Sequence, residues 1–250
     1  MINITYLLSI DVLGFGDFVR ENPTKVVFDH YAWLVTGAAF SGEIIAAGEV
    51  DVMVYSDTIA IKSNNSNQSL CLRWLIQVAQ LIQVGQYARA RSEDALFLPV
   101  RGTITFGEFI FHKGDIWTQA LNRPKIFASN IDMILGKPII EAYQFEKNMD
   151  LMCIAVGDSA QQQIGHEEIM QCVNSNMLIQ YNIPLKNGGT KNGILVNPVS
   201  TPDYHIDIKK LEVERQKHIG SPGIVSKYNN TLDLFDYVYR NKLFFPRVPG

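Results

Sequence analysis

Residues 4–18, I-T-Y-L-L-S-I-D-V-L-G-F-G-D-F, constrain this chain more than any other stretch. From Tyr6 to Ile10 the run is apolar but for Ser9, the pattern of a strand buried on both faces. It ends on Asp11 and passes into a glycine-spaced turn, Gly14-Phe15-Gly16. A carboxylate at a strand end, beside free backbone N–H groups, suits a divalent cation carrying phosphates. The aspartate oxygen is a hard ligand, and the amides of the turn and the helix start point at anionic oxygens. The same residues also describe an ordinary glycine turn after a buried strand, with Asp11 as a helix cap.

A second segment, residues 51–62, reads D-V-M-V-Y-S-D-T-I-A-I-K. Val52, Val54, Ile59 and Ile61 alternate with smaller or polar residues on either side of Ser56-Asp57, predicting two strands joined by a tight hairpin with Asp57 at its tip. Two strand-end carboxylates drawn together by one sheet make a two-Asp metal site suited to in-line phosphoryl chemistry. Asp57 is otherwise a simple turn residue.

S-I-D-V-L-G-F-G-D-F resembles the metal-and-phosphate motif of the nucleotide cyclase family that includes adenylate and guanylate cyclases, and Y-S-D-T-I-A resembles its second metal-Asp hairpin. V-R-G-T-I-T-F-G-E, residues 100–108, is similar to the family's Arg-Gly strand. With I-L-G-K-P-I-I-E-A-Y-Q-F-E-K, residues 134–147, these blocks most resemble the stand-alone pyrimidine cyclases of bacterial Pycsar anti-phage systems, over roughly residues 4–197. The resemblance implies an α+β, ferredoxin-like cyclase domain over residues 1–200, an antiparallel central sheet covered by helices. Residues 201–250 would form a helical C-terminal extension packed on that domain or on a dimer partner.

It further implies conversion of UTP to 3′,5′-cyclic UMP and diphosphate, with cyclic CMP from CTP as an alternative and ATP as a weaker third. Two divalent ions, Mn²⁺ or Mg²⁺, a homodimer with composite sites and a downstream cyclic-nucleotide-binding effector come with it. Asp11 and Asp57 would hold the ions, with the Val12 carbonyl completing a shell. Gly14, Phe15 and Gly16 would cradle phosphates, and Lys186, in the turn of N-I-P-L-K-N-G-G-T-K-N-G, would contact the triphosphate or be an exposed turn lysine. Tyr55 would narrow the base pocket against a purine or, equally, be a core aromatic. Arg101 would either pair with a carboxylate or reach a phosphate.

One departure stands out. The family's helix after the Gly136 position carries an Asn and, four residues on, an Arg that stabilise the transition state; here those places hold Ile140 and Gln144, or Glu141 and Phe145 in the other register. Arg101, Arg123 or a lysine would have to supply that charge. A catalytically inactive nucleotide-binding module and a phosphohydrolase using the same two aspartates are the rival readings.

The 250 residues can bury a sizeable core as one domain with a tail, and 47% hydrophobic with 19% charged residues fits a globular protein. A net charge of −3 gives no basic field for nucleic acid. Cys71, Cys153 and Cys172 are odd in number and lack metal spacing, which reads as buried thiols of a reducing compartment. No apolar window reaches membrane-span length and no leader pattern is present, so the expected location is cytoplasmic, with no membrane insertion.

Between these blocks the periodicities predict further elements. Asp17–Arg20 start a helix that Asn22-Pro23 interrupts, and Val26, Val27, Tyr31, Leu34 and Val35 line the next. A small apolar stretch, residues 38–47, finishes it. Residues 70–89 form a covering helix, with Arg91 and Glu93 on its solvated end. Residues 96–111 are read as a strand pair that ends at Gly107-Glu108, with Arg101, Thr103 and Thr105 on a polar side facing a cleft. Beyond residues 139–147 come a strand at 152–156, one helix over 159–173, a hairpin from 178–184 and 193–197, and a charged helix at 209–217. Ser221-Pro222-Gly223 breaks that helix.

Overall fold

The computed structural model describes residues 2–34, 50–90, 98–118, 125–199 and 204–245. Its centre is β1 (Ile2–Val12), which pairs antiparallel with β3 (Thr58–Ser63) on one side and β4 (Val100–Thr118) on the other. β2 (Val50–Tyr55) completes the hairpin with β3, so the first four strands lie in the order β2-β3-β1-β4. Between β1 and β2 lie α1 (Phe15–Glu21) and the helical residues 24–34, designated α2; between β3 and β4 lies α3 (Gln68–Ala90). This βαββαβ order is the ferredoxin-like arrangement expected from the sequence.

The sheet continues from β4 to β6 (Ile154–Val156), β8 (Thr190–Val196) and β7 (Leu178–Pro184), while β5 (Lys125–Gly136) pairs with β4. One pairing departs from the expected antiparallel sheet: β4 and β6 run parallel, with Gly102 opposite Ile154. α4 (Lys137–Asn148) provides the crossover that a parallel return requires.

Alternation along β1 divides the core. Tyr6, Leu8, Ile10 and Val12 join Ile59, Ile61, Leu72, Leu75, Ile76 and Ala79 in the cluster beneath α3. The opposite face carries Thr5, Leu7, Ser9 and Asp11, with Thr5 and Ser9 buried, and is overlain in part by α4, whose Pro138 carbonyl accepts a hydrogen bond from Thr105 Oγ1. That face grades from apolar to charged towards the C-terminal end of the strand. A second cluster, Met149, Leu151, Met152, Ile179 and Leu195, is closed by Leu211 of α7 (Tyr204–Lys217) and by Leu234, Phe235 and Val238 of α8 (Pro222–Arg240). Asp150 pins α8 in place by accepting from Ser226 Oγ and from Asn230 Nδ2.

Several boundaries differ from expectation. β4 does not stop at Gly107-Glu108 but runs to Thr118, pairing with β1 up to Ile110 and with β5 from Phe109 onward, so the pair expected within residues 96–111 is one strand of a long ribbon. Thr103 and Thr105 are fully buried rather than facing a cleft. The helix expected over 159–173 is two, α5 (Asp158–Ile164) and α6 (His166–Asn174), divided by Gly165 at φ 83°. Only residues 154–156 of the predicted strand at 152–156 form β6, and β8 begins at Thr190 rather than at residue 193. Pro222 is the first residue of α8 rather than only a breaker, its missing N–H being one of the unpaired donors of a helix start. The expected elements at Val35, residues 38–47, Arg91 and Glu93 lie outside the described residues. The three cysteines are buried, free thiols as expected.

Candidate active site

Two ladders fix the geometry of the site. The β1–β3 register sets Asp11 opposite Thr58, and the Val12 N–H donates to the Asp57 carbonyl at 2.9 Å. The β1–β4 register sets Asp11 opposite Arg101. Ser56, at φ 55°, turns the hairpin, and the Tyr31 hydroxyl donates to its carbonyl. Tyr31 also packs its ring on Phe15, with centroids 4.8 Å apart, so one α2 side chain ties the hairpin tip to the glycine turn. Burial, then the charges of Asp57 and Asp11, pushes its phenol up to about 12.

A cleft of about 510 Å³ opens over this junction. Asp11, Val12, Gly14, Phe15, Gly16, Asp57, Arg101 and Lys186, eight of the nine residues expected in the site, line it. The ninth, Tyr55, ends β2 beside the hairpin tip, and its side chain is outside the described set. Gly14 adopts the left-handed conformation at φ 72°, and a Cβ on Gly14 or Gly16 would meet nothing within 4 Å. The glycines therefore leave room above the turn instead of relieving a packing clash.

Arg101 resolves the choice left open by its sequence. Its Nε and Nη2 both donate to Asp11 Oδ2 at 2.8 Å, forming a largely buried ion pair, while Nη1 is buried without a partner. Lys186 stands exposed at the β7–β8 turn, its amine lowered by partial burial and by the nearby Arg101 and Lys227. The Lys227 contribution shows that α8 brings a further cation towards this end of the cleft.

Neither register considered for the helix after Gly136 faces the cleft. Ile140 is 58% exposed and Gln144 is exposed, Glu141 accepts from the Ser159 N–H at the start of α5, and Phe145 packs into the second core. The α4 face that lines the cleft is Tyr143, Glu146 and Lys147, at spacings of three and four. Arg123 lies outside the described residues.

Glu146 is the site residue that sequence reasoning missed. It is 6% exposed, and its Oε1 is buried without a partner. Burial first, then the charges of Asp11 and Asp57, raises its carboxyl from 4.5 to about 8 against a hydrogen bond from Ser9 and the charge of Arg101. A folded-state value above the unfolded one means the folded protein holds the proton more tightly. The stabilisation is complete below pH 4.5 and is lost as pH rises through about 8. In metal-free protein, Glu146→Gln is therefore expected to raise the melting temperature at pH 9 by roughly 5 °C and to change it little at pH 5. Thermal unfolding of both proteins in chelator across that range checks this; an equal difference at both ends would contradict the assignment.

A larger hollow, about 750 Å³, lies between α5, α6, β7, β8 and α8, but its lining of Gln161, Gln180, Tyr181, Asn182, Asn192 and neighbours carries no carboxylate, lysine or arginine. Of these two hollows, the first is the one lined by charged side chains. Among the described residues no three His, Cys, Asp or Glu side chains form a metal-holding group. Asp11 and Asp57 bring two carboxylates to the cleft beside Val12, and with the Val12 carbonyl they would hold a divalent ion whose remaining positions fall to phosphate oxygens and water.

Solved structures share this architecture. A bacterial light-regulated adenylyl cyclase aligns with a TM-score of 0.53 at 12% identity, over 86% of this chain and 98% of that one. The guanylate cyclase domain of RhGC from Catenaria anguillulae, in complex with GTP, aligns with a TM-score of 0.50 at 11% identity, over 78% and 97%. The fold is that of a nucleotide cyclase domain. Another structure of a bacterial light-regulated adenylyl cyclase aligns at 0.53 and 11% over 86% of this chain, which spans only 58% of its length. No known family's sequence pattern matches the chain, and no curated protein matches it in sequence. The α+β cyclase fold expected from the motifs is present, with the mixed β4–β6 pairing and the long β4–β5 ribbon as its local features. No helix among the described residues is long and apolar enough to cross a membrane.

Proposed function

We propose that this chain is a nucleotide cyclase that converts UTP to 3′,5′-cyclic UMP and diphosphate. The observation that carries the reading is the meeting of Asp11 and Asp57 at one cleft, over the unobstructed Gly14-Phe15-Gly16 turn. Asp11 and Asp57, with the Val12 carbonyl, would hold two divalent ions, Mn²⁺ or Mg²⁺. Such ions lower the pKa of a ribose hydroxyl and neutralise charge on the triphosphate. The turn amides receive phosphate oxygens, and Lys186 faces the triphosphate from the β7–β8 turn. The 3′ oxygen bonds to the α-phosphorus, the bond to the oxygen bridging the β-phosphate breaks, diphosphate leaves, and the hydroxyl proton passes to solvent. Catalysis is then mainly placement and charge neutralisation.

The preference for UTP rests on the resemblance to pyrimidine cyclases and on Tyr55 at the hairpin, with CTP as the alternative. Sites composed across a homodimer agree with Ile140 and Gln144, which face outward on α4, away from this chain's own cleft. The product would act in the cytoplasm on a cyclic-nucleotide-binding effector in anti-phage defence. A second reading, a nucleotide-binding module without catalysis, draws on the same helix, which offers no Asn/Arg pair, and on the hold of Arg101 on Asp11.

Incubation with each of the four ribonucleoside triphosphates and Mn²⁺ tests the reaction class. A cyclic nucleotide identified by mass, released with diphosphate, greatest from UTP and abolished by chelator, is expected. Orthophosphate release would indicate a hydrolase, and no release the binding module.

A further inference from the structure

Two buried polar atoms on the cleft lining lack partners, and they are opposite in kind. Arg101 Nη1 is a donor and Glu146 Oε1 an acceptor. Arg101 meanwhile spends its other two cleft-facing nitrogens on one oxygen of Asp11. A divalent cation on Oδ1 of Asp11, the oxygen Arg101 does not hold, draws charge from the carboxylate and weakens its grip on the guanidinium. A buried guanidinium beside a dication, stripped of its carboxylate, is an uncompensated charge of the kind that strongly destabilises a protein interior. Some anion has to receive it.

The carboxylates lining the cleft are Asp11, Asp17, Asp57 and Glu146. Asp17 is exposed and paired with Arg20. Asp57, like Asp11, is assigned to the cation. Glu146 alone remains: it is buried, keeps an unfilled oxygen and lies near enough to feel the Arg101 charge, and as the guanidinium turns towards it, it releases its proton to solvent and becomes the anion. A guanidinium presents five donors in a planar fork, so Arg101 has Nη1 left to offer a second carboxylate besides the edge that holds Asp11.

We infer that Glu146 is the positioning residue that receives the Arg101 guanidinium when Asp11 takes up a divalent cation. Glu146 acts through Arg101 and touches neither ion nor nucleotide. It thereby releases Asp11 for ligation and holds Arg101 turned towards the cleft, where its charge can serve the reacting phosphate. The inference rests on the metal assignment to Asp11 and Asp57 made above, and the experiment separates the two.

Mn²⁺ binding to the full chain, without nucleotide, is measured by the loss of the free-ion electron paramagnetic resonance signal in wild type, Glu146→Gln, Arg101→Gln and the double variant. Glu146→Gln is expected to weaken Mn²⁺ by about tenfold or more, the range for supporting groups behind metal ligands. Arg101→Gln removes the competitor for Asp11, so the double variant should bind as Arg101→Gln alone does. Unchanged affinity in Glu146→Gln overturns the inference. So does an equal loss in the Arg101→Gln background, because Glu146 would then act without Arg101. Should Glu146→Gln not fold, Glu146→Asp, with its shorter reach, is expected to show the same Arg101-dependent loss. Wild-type protein that binds no Mn²⁺, or binds it undiminished after Asp57→Asn, would instead remove the metal assignment itself and the inference with it.

Discussion

Asp57→Asn is expected to lower kcat by about a thousandfold or more while shifting the melting temperature by no more than about 2 °C. The two halves of this expectation have different causes. The hairpin is held by its backbone, through the Val12 N–H on the Asp57 carbonyl and the Tyr31 hydroxyl on the Ser56 carbonyl, and asparagine preserves both. The Asp57 side chain has no ion-pair partner among the described residues, so folding loses nothing with its charge. Under the proposed metal assignment, a cation shared with Asp11 would lose a hard anionic oxygen, and with it the charge neutralisation that cyclisation requires. Steady-state kinetics beside a melting curve check the pair. Activity close to wild type would show that Asp57 is only a turn residue.

Gly102→Ala should be the most destabilising single change near the site. Gly102 lies opposite Ile10 between β1 and β6, and a Cβ there would overlap the Ser9 carbonyl oxygen and stand 3.2 Å from Ile10 Cα. The obstruction is backbone, which cannot swing aside, so relief means prising β4 from β1. Overpacking costs about 1–3 kcal/mol where side chains can yield. Here the upper end or beyond is expected, a fall of roughly 10 °C in melting temperature. Because Gly102 adjoins Arg101, Mn²⁺ binding should weaken as well. Thermal unfolding gives the test, and a wild-type melting temperature would show that the ladder at this point is looser than described.

How far the sequence foretold this molecule varies by residue. Asp11 and Asp57 were legible because a period-two pattern and a tight turn fix local register, and local register alone brings a strand end to a hairpin tip. The full length of β4 was not. Gly107 reads as a strand end, yet it stands against Pro138 of α4, 3.1 Å from where its Cβ would be, within a strand that pairs with β1 and then β5. Glu146 was hidden for a related reason. A glutamate late in a charged helix reads as solvated, and only the placement of α4 across β1, a long-range event, buries it beside Asp11 and Arg101. Pairing of Arg101 is one of two readings the sequence allows, with the ion pair ahead, because a strand beside the cleft offers it both a carboxylate and a phosphate. The division at Gly165 is visible as a glycine but not as a break, since a glycine within a helical pattern does not itself announce the φ of 83° that ends α5.

On the function proposed, the cleft over Asp11 and Asp57 closes a nucleotide ring. The mass of the nucleotide formed from UTP by purified protein with Mn²⁺ tests it most directly, since diphosphate release alone would also accompany hydrolysis to linear UMP. The expected product has the mass of 3′,5′-cyclic UMP, one water lighter than UMP, and is absent with Asp57→Asn. UMP or UDP as the sole product, or UTP returned unchanged, would contradict it.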